Sequence, residues 1–209
     1  MSKTADAIAI FDAKAIDYAK KYGNVEQYKG GLDLLCKLSV PAAKVLDLAC
    51  GPGNITKYLL SERPDFDVLG LDLAPKMISI AQEVNPNASF LVHDIKLIAE
   101  LDGSFDLIII GFGLPYLSKN EAINLINKSY DKLNNNGLLY ISTMVGNYTD
   151  SGPEKSSDGK NEMFIYYHQA DYLKSMLIDL NLNIIYEKQQ PFLESDKVRF
   201  TDFIVIGKK

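Results

Sequence analysis

The chain is poor in the residues that build metal and redox sites. Cys36 and Cys50 are its only cysteines, and His93 and His168 its only histidines, in 209 residues. No Cys-x-x-Cys pair and no Cys/His cluster occurs, which argues against a structural zinc site; no metal is expected. An excess of basic charge is also missing. With 22 Lys and Arg against 27 Asp and Glu, the net charge is -5, which argues against a protein held to nucleic acid through phosphate contacts. No apolar run reaches the roughly 18 residues of a membrane span. The polar start, Met1 to Asp6, lacks the apolar region of a signal peptide. No internal repeat is visible. These absences lead to the expectation of a soluble, cytoplasmic, reduced protein with no membrane partner, and they leave the oligomeric state open.

What is present is an ordinary globular composition, 47% hydrophobic and 23% charged, in a length that suits one α/β domain with a real core. The most informative stretch is Val45-Leu46-Asp47-Leu48-Ala49-Cys50-Gly51-Pro52-Gly53-Asn54. An apolar run ends in a carboxylate, a turn of small residues follows, and a helical segment opens at Ile55. Strand, Gly turn and helix in this order build a nucleotide cradle at the end of a parallel strand. A second apolar run, Val68 to Leu71, ends in Asp72. That acid stands roughly 20 residues beyond the turn, the spacing of a carboxylate that grips ribose hydroxyls.

The pattern predicts strands over Lys44–Leu48, Asp67–Leu73, Ala88–Val92, Phe105–Gly111, Gly137–Met144, Asn183–Pro191 and Phe200–Ile206. Helical segments lie between the first five, so a doubly wound, mostly parallel sheet is expected. Leu107-Ile108-Ile109-Ile110 fits a strand covered on both faces. Pro75 suits an early helix position. Ser118-Lys119-Asn120-Glu121 is a capping box opening a helix over Ala122–Leu133. Ile8, Phe11, Ala15, Ile16 and Ala19 recur at helical spacing within a helical region from Met1 to Val40, with a second helix over Glu26–Leu38. Asn134-Asn135-Asn136 reads as a turn. Ala170–Leu180 predicts a helix with Tyr172, Leu173, Met176, Leu177 and Leu180 on one face. The last two strands are joined by too few residues for a parallel crossover, so a closing antiparallel hairpin is expected. Gly146 to Lys160, rich in Gly, Ser, Asp and Lys, reads as a mobile loop or lid.

Asp47-Leu48-Ala49-Cys50-Gly51-Pro52-Gly53, Leu71-Asp72-Leu73-Ala74, His93-Asp94-Ile95 and Ser104-Phe105-Asp106-Leu107-Ile108 stand in order. Together they resemble the motifs of class I S-adenosylmethionine-dependent methyltransferases of the small, single-domain kind. One departure is Ala49, where the family usually has its first glycine. The resemblance implies a Rossmann-like doubly wound seven-stranded sheet with a C-terminal hairpin and an N-terminal helical lid. It implies one methyltransferase domain over 1–209: lid 1–40, cofactor core 41–144, acceptor-side loop 145–168, terminal helix and hairpin 169–209. The implied cofactor is S-adenosylmethionine, with S-adenosylhomocysteine as product. By resemblance Asp47 orients the Gly turn, and Ala49, Cys50, Gly51 and Gly53 let backbone approach the ligand. Asp72 takes the ribose hydroxyls, and Leu73 and Met77 pack on the adenine. Asp94 accepts from the adenine amino group beside the Ile95 amide. Gly111 and Phe112 lie where the methyl points.

Cys50 also reads simply as a small buried filler. Tyr18 on the N-terminal helix is the chosen lid contact, with plain packing as its other reading. Phe11, Tyr22, Tyr116, Tyr148, Tyr166 and Tyr167 are further aromatics near the acceptor side. No catalytic residue is assigned. His168 is a tempting general base, although a helix cap or surface position is favoured; His93 is expected to pack near the adenine. The expected reaction is in-line methyl transfer to a small-molecule acceptor. Gly111-Phe112-Gly113-Leu114-Pro115-Tyr116 lacks the Asn-Pro-Pro-Tyr or Asp-Pro-Pro-Tyr run of enzymes that methylate flipped bases. Two rivals stand beside it. A nicotinamide-dependent oxidoreductase shares the Gly turn and the ribose acid, but position 56 is threonine rather than the third glycine of its motif. A noncatalytic S-adenosylmethionine-binding regulator is also compatible with the motifs.

Overall fold

The computed structural model describes residues 3–155, 159, 162–194 and 197–209. Five strands run parallel: β1 (Lys44–Leu48), β2 (Asp67–Asp72), β3 (Ser89–Val92), β4 (Phe105–Gly111) and β5 (Leu133–Val145). A short ribbon of β6 (Gly152–Lys155) and β7 (Glu162–Ile165) stands apart from them. The sheet is completed by β8 (Asn183–Glu194) and β9 (Lys197–Lys208), both in antiparallel pairing, in the order β3-β2-β1-β4-β5-β9-β8. This is the expected doubly wound seven-stranded sheet with its closing hairpin.

Residues that alternate along each strand enter different cores. Leu46, Leu48, Ile108 and Ile110 pack under α6 (Lys119–Lys132) and α7 (Ala170–Asp179). Val45, Leu107 and Ile109 pack on the other face, under α3 (Lys29–Leu38), α4 (Asn54–Glu62) and α5 (Pro75–Val84). Leu107 through Ile110 are all fully buried, as an apolar run in a two-sided sheet requires. The capping box forms: the Ser118 amide donates to Glu121 Oε2 at 2.9 Å, and the Glu121 amide donates back to Ser118 Oγ at 3.4 Å.

Three expectations need correction. The N-terminal helical region breaks into α1 (Lys3–Ala13), α2 (Ala15–Tyr22), a single turn at Glu26–Tyr28, and α3. Ile16 is 65% exposed, so its spacing with Phe11 and Ala15 does not trace one buried face. The Asn134–Asn136 tract is not a free turn but lies within β5; Asn136 has φ of 64°, and the register against β4 jumps from Phe105↔Leu133 to Leu107↔Leu138. An extra stretch of chain is thus taken up as a bulge, which asparagine tolerates because it enters left-handed backbone more readily than most residues. Finally, the polar segment after Gly146 contains a turn at Tyr148–Asp150 and the paired strands β6 and β7. Its composition hid the pairing because both strands are short; residues 156–158, 160 and 161 of the expected lid lie outside the described residues. Among the described residues no helix is long and apolar enough to cross a membrane.

Candidate active site

The carboxyl ends of β1, β2 and β4 open onto two adjoining cavities of about 430 and 110 Å³. Phe11, Tyr18, Ala49, Gly51, Phe112 and Tyr116 line both. Helices α1 and α2 cover them. Asp12 Oδ1 accepts from the Lys76 amide at the start of α5 (2.7 Å), and Asn54 Nδ2 donates to the Tyr22 carbonyl (2.9 Å). Phe11 and Tyr18 pack with Met77.

Asp47, next to last in β1, is almost wholly buried. Its Oδ2 accepts from Thr56 Oγ1 at 2.7 Å, while Oδ1 has no hydrogen-bond partner. Burial pushes its carboxyl up to about 7; the Thr56 hydrogen bond opposes that and the nearby Asp72 charge adds to it. Thr56 occupies the position of the third glycine in the nicotinamide pattern, and here its hydroxyl holds Asp47 instead. Asp72 clasps the Gly turn: its Oδ2 accepts from the Gly51 amide and Oδ1 from the Ala74 amide, both at 2.9 Å. Each oxygen keeps a second lone pair for a ligand. Burial raises this carboxyl too, against the pull of those amides. Asp94 caps the turn at Ile95–Glu100, accepting from the Lys96 amide at 2.9 Å, with Lys96 Nζ 3.7 Å from its other oxygen.

The smaller cavity gathers Asp72, Leu73, Met77, Asp94 and Ile95; the larger one gathers Asp47, Cys50 and the aromatic residues. Gly111 borders both. Gly53 is the one expected contact that borders neither. It has φ of 78°, and a Cβ there would stand 2.5 Å from Asn85 Nδ2 and 3.1 Å from Ala81 Cβ. Its lack of a side chain lets α4 start and pack closely on α5. Gly51 is different: at φ of 53°, a Cβ would meet nothing within 4 Å, so the space above it is the cavity itself. Ala49 and Phe112 hold φ of 57° and 55°. For an aromatic residue this is a strained conformation, of order 1–3 kcal/mol, of the kind that persists at functional sites.

His168 is neither a cap nor a surface residue. It is fully buried, its Nε2 lies 2.9 Å from the Leu114 carbonyl, and its Nδ1 meets the Tyr172 hydroxyl. It borders neither cavity, and burial lowers its pKa, so it ties β5's exit to the turn at Leu114–Tyr116 as a neutral ring. His93 borders neither cavity; its Nδ1 lies 3.0 Å from the Asp94 carbonyl. Tyr148 stacks on Tyr166 away from the cavities, whereas Tyr22, Tyr116 and Tyr167 line the larger one. Sequence reasoning missed Tyr28 and Asp202. Tyr28 lines the larger cavity and donates to Asp202 Oδ2 at 2.7 Å. A signal existed: Asp202 shares strand parity with Ile204 and Ile206, which points an acid inward. Among the described residues no group of three His, Cys, Asp or Glu is placed to hold a metal ion.

A doubly wound sheet with a glycine turn after β1, an acid ending β2 and an antiparallel β9 beside β5 defines a Rossmann-like nucleotide-cradle protein. Residues 45–137 match the family model described as a methyltransferase domain. A protein of Invertebrate iridescent virus 6 that bears a methyltransferase name, 235L, is 35% identical over 164 residues, 75% of this chain and 60% of that protein. The trans-aconitate 2-methyltransferase of Variovorax paradoxus is 35% identical over 117 residues, 56% of this chain and 44% of the relative. The chain thus spans about half the length of these relatives. In fold it resembles magnesium protoporphyrin IX methyltransferase of Synechocystis PCC 6803, solved with bound S-adenosylmethionine, at a TM-score of 0.73 and 16% identity, covering 100% of this chain and 98% of that one. Residues 45–137 are thus similar to a methyltransferase domain, and relatives at 35% identity bear methyltransferase names.

Proposed function

We propose that this protein binds S-adenosylmethionine across the two cavities and transfers its methyl group to a small-molecule acceptor. The observation that carries the proposal is the joining of a ribose-type acid and a glycine turn by a direct hydrogen bond, Gly51 amide to Asp72, at the mouth of a cavity. Bound S-adenosylmethionine supplies a methyl on a sulfonium, a leaving group that needs no further activation. The protein's work is then to bind, align and exclude water, and alignment alone supplies much of such a rate gain. Asp72 offers its free lone pairs to ribose hydroxyls; Leu73 and Met77 give the adenine an apolar bed; Asp94 and the Ile95 amide face its edge. Asp47 Oδ1, buried and unpartnered, offers an acceptor beside the Gly turn. Ala49, Cys50, Gly51, Gly111 and Phe112 shape the channel, with Tyr18 above it.

A small acceptor is supported by the size of the larger cavity, about 430 Å³, in the range of small-molecule sites. The activity for which the trans-aconitate relative is named points the same way. Calorimetric titration with S-adenosylhomocysteine, against NAD as control, tests the proposal. Saturable binding of S-adenosylhomocysteine alone is expected. Binding of NAD alone would leave only a nucleotide-binding fold.

A further inference from the structure

Behind Tyr28, in the wall of the larger cavity, sits a buried acid that the cofactor cradle does not use. Asp202 on β9 is fully buried, yet its Oδ1 has no hydrogen-bond partner. Its Oδ2 holds the hydrogen of the Tyr28 hydroxyl at 2.7 Å. The Tyr28 oxygen also accepts from Gln27 Nε2 at 2.8 Å, and Tyr28 and Gln27 both line the cavity. A phenolic hydroxyl has one hydrogen and two lone pairs. With its hydrogen held by Asp202 and one lone pair by Gln27, Tyr28 has an acceptor site left. A ligand group that meets it must therefore bring a hydrogen. A carboxylate or an ether brings none.

The walls nearby are aromatic. Phe192 and Phe200 stack at 4.6 Å and 7°, Tyr22 lies 6.3 Å from Phe192, and Tyr28 packs on the strained Phe112 at 5.3 Å. Such walls favour a flat ring, since offset and edge contacts between rings add to the gain from burial. We propose that the acceptor is an aromatic ring bearing a hydroxyl, and that Tyr28, oriented by Asp202, takes that hydroxyl's hydrogen. The inference rests on the methyl-transfer reading and names the acceptor class for the same site. A phenol suits the device because its hydroxyl, with a pKa near about 10, keeps its hydrogen at neutral pH and can release it as the new bond forms, while burial and Asp202 hold the Tyr28 hydroxyl above the usual tyrosine range, so Tyr28 passes a proton on without being left ionised. In the transfer, the acceptor oxygen bonds to the methyl carbon as the carbon–sulfur bond breaks, its electron pair remaining on sulfur. The acceptor's proton moves to the Tyr28 oxygen, and the proton of Tyr28 moves to Asp202 Oδ2. Asp202 acts through Tyr28 and is a positioning residue.

The test uses the full chain saturated with S-adenosylhomocysteine and two probes, 4-methylphenol and its methyl ether 4-methylanisole, which has the ring but no hydrogen to donate. 4-Methylphenol is expected to bind saturably and at least about tenfold more tightly than the ether. Tyr28→Phe should bring that ratio close to one, and Asp202→Asn should narrow it severalfold, because a neutral amide holds the Tyr28 hydrogen less firmly. A merely structural role would weaken both probes together and leave the ratio alone. If S-adenosylhomocysteine binds but the ratio is near one in the unmodified protein, or is unaltered in Tyr28→Phe, the inference is overturned and methyl transfer stands. Absence of S-adenosylhomocysteine binding overturns the methyl-transfer reading and this inference with it.

Discussion

Asp47 shows how a single side chain becomes coupled to the fold's stability. Its carboxyl is raised to about 7 by burial, against about 3.9 in an unfolded chain. Between those values the folded protein holds a proton that the unfolded chain has released. Stability from this group is therefore greatest below about pH 4 and falls as pH rises to about 7, by at most about 4 kcal/mol. Asp202, raised to about 6 by burial, acts in the same direction. Urea unfolding of the ligand-free protein at about pH 5 and about pH 8 should show lower stability at the higher pH, and Asp47→Asn should flatten that difference. An equal slope in the variant would remove Asp47 as its cause. Asp72 makes the companion case for binding. Its two oxygens carry the Gly51 and Ala74 amides, so Asp72→Ala removes both the proposed ribose contact and the clasp on the turn. A loss of at least about tenfold in S-adenosylhomocysteine affinity is expected by calorimetry. An unchanged affinity in a folded variant would contradict the assignment.

At the scale of elements, the site depends on how closely helices approach the strand ends. Helix α4 starts from Gly53 in left-handed backbone, with Asn85 and Ala81 of α5's end against it. Gly53→Ala introduces both a strained φ and a clash, and should destabilise the protein by about 2–4 kcal/mol. Chemical denaturation measures this, and a change below about 0.5 kcal/mol, the scale of surface substitutions, would show that α5 yields without strain. Ser118 contributes less, since its hydroxyl bonds only Glu121, accepting from its amide and donating to its Oε2 at the start of α6. Ser118→Ala should cost about 1 kcal/mol in the same measurement. The capping box was legible because its whole mechanism sits within four consecutive residues. The ribbon of β6 and β7 was not, because Gly152 and Ile165 pair across a span whose composition suggests a loop. The break between α1 and α2 was hidden for a related reason: Ala15 and Ile16 both fit a helical apolar pattern, yet only Ala15 is buried.

For the whole molecule, a ligand that binds the folded state and not the unfolded one must raise stability. S-adenosylhomocysteine at about 100 times its Kd should add about 2.7 kcal/mol, or roughly 5–10 °C in Tm for a chain of this size. NAD at equal concentration should leave the melting curve in place, and the reverse pattern would favour the oxidoreductase. The sequence by itself determined the parallel sheet, the closing hairpin and the cradle. Those depend on runs of like residues and on motifs within a few positions of one another: Val45 to Gly53, Val68 to Asp72, His93 to Ile95. Local propensity and spacing carry such information directly. Only the tertiary structure decided that Gly53 packs a helix while Gly51 faces the cavity, that His168 is a buried strut, and that Tyr28 meets Asp202 from 174 positions away. Those outcomes depend on which faces are buried against which, and burial is set by packing between distant segments, not by the order of residues within one.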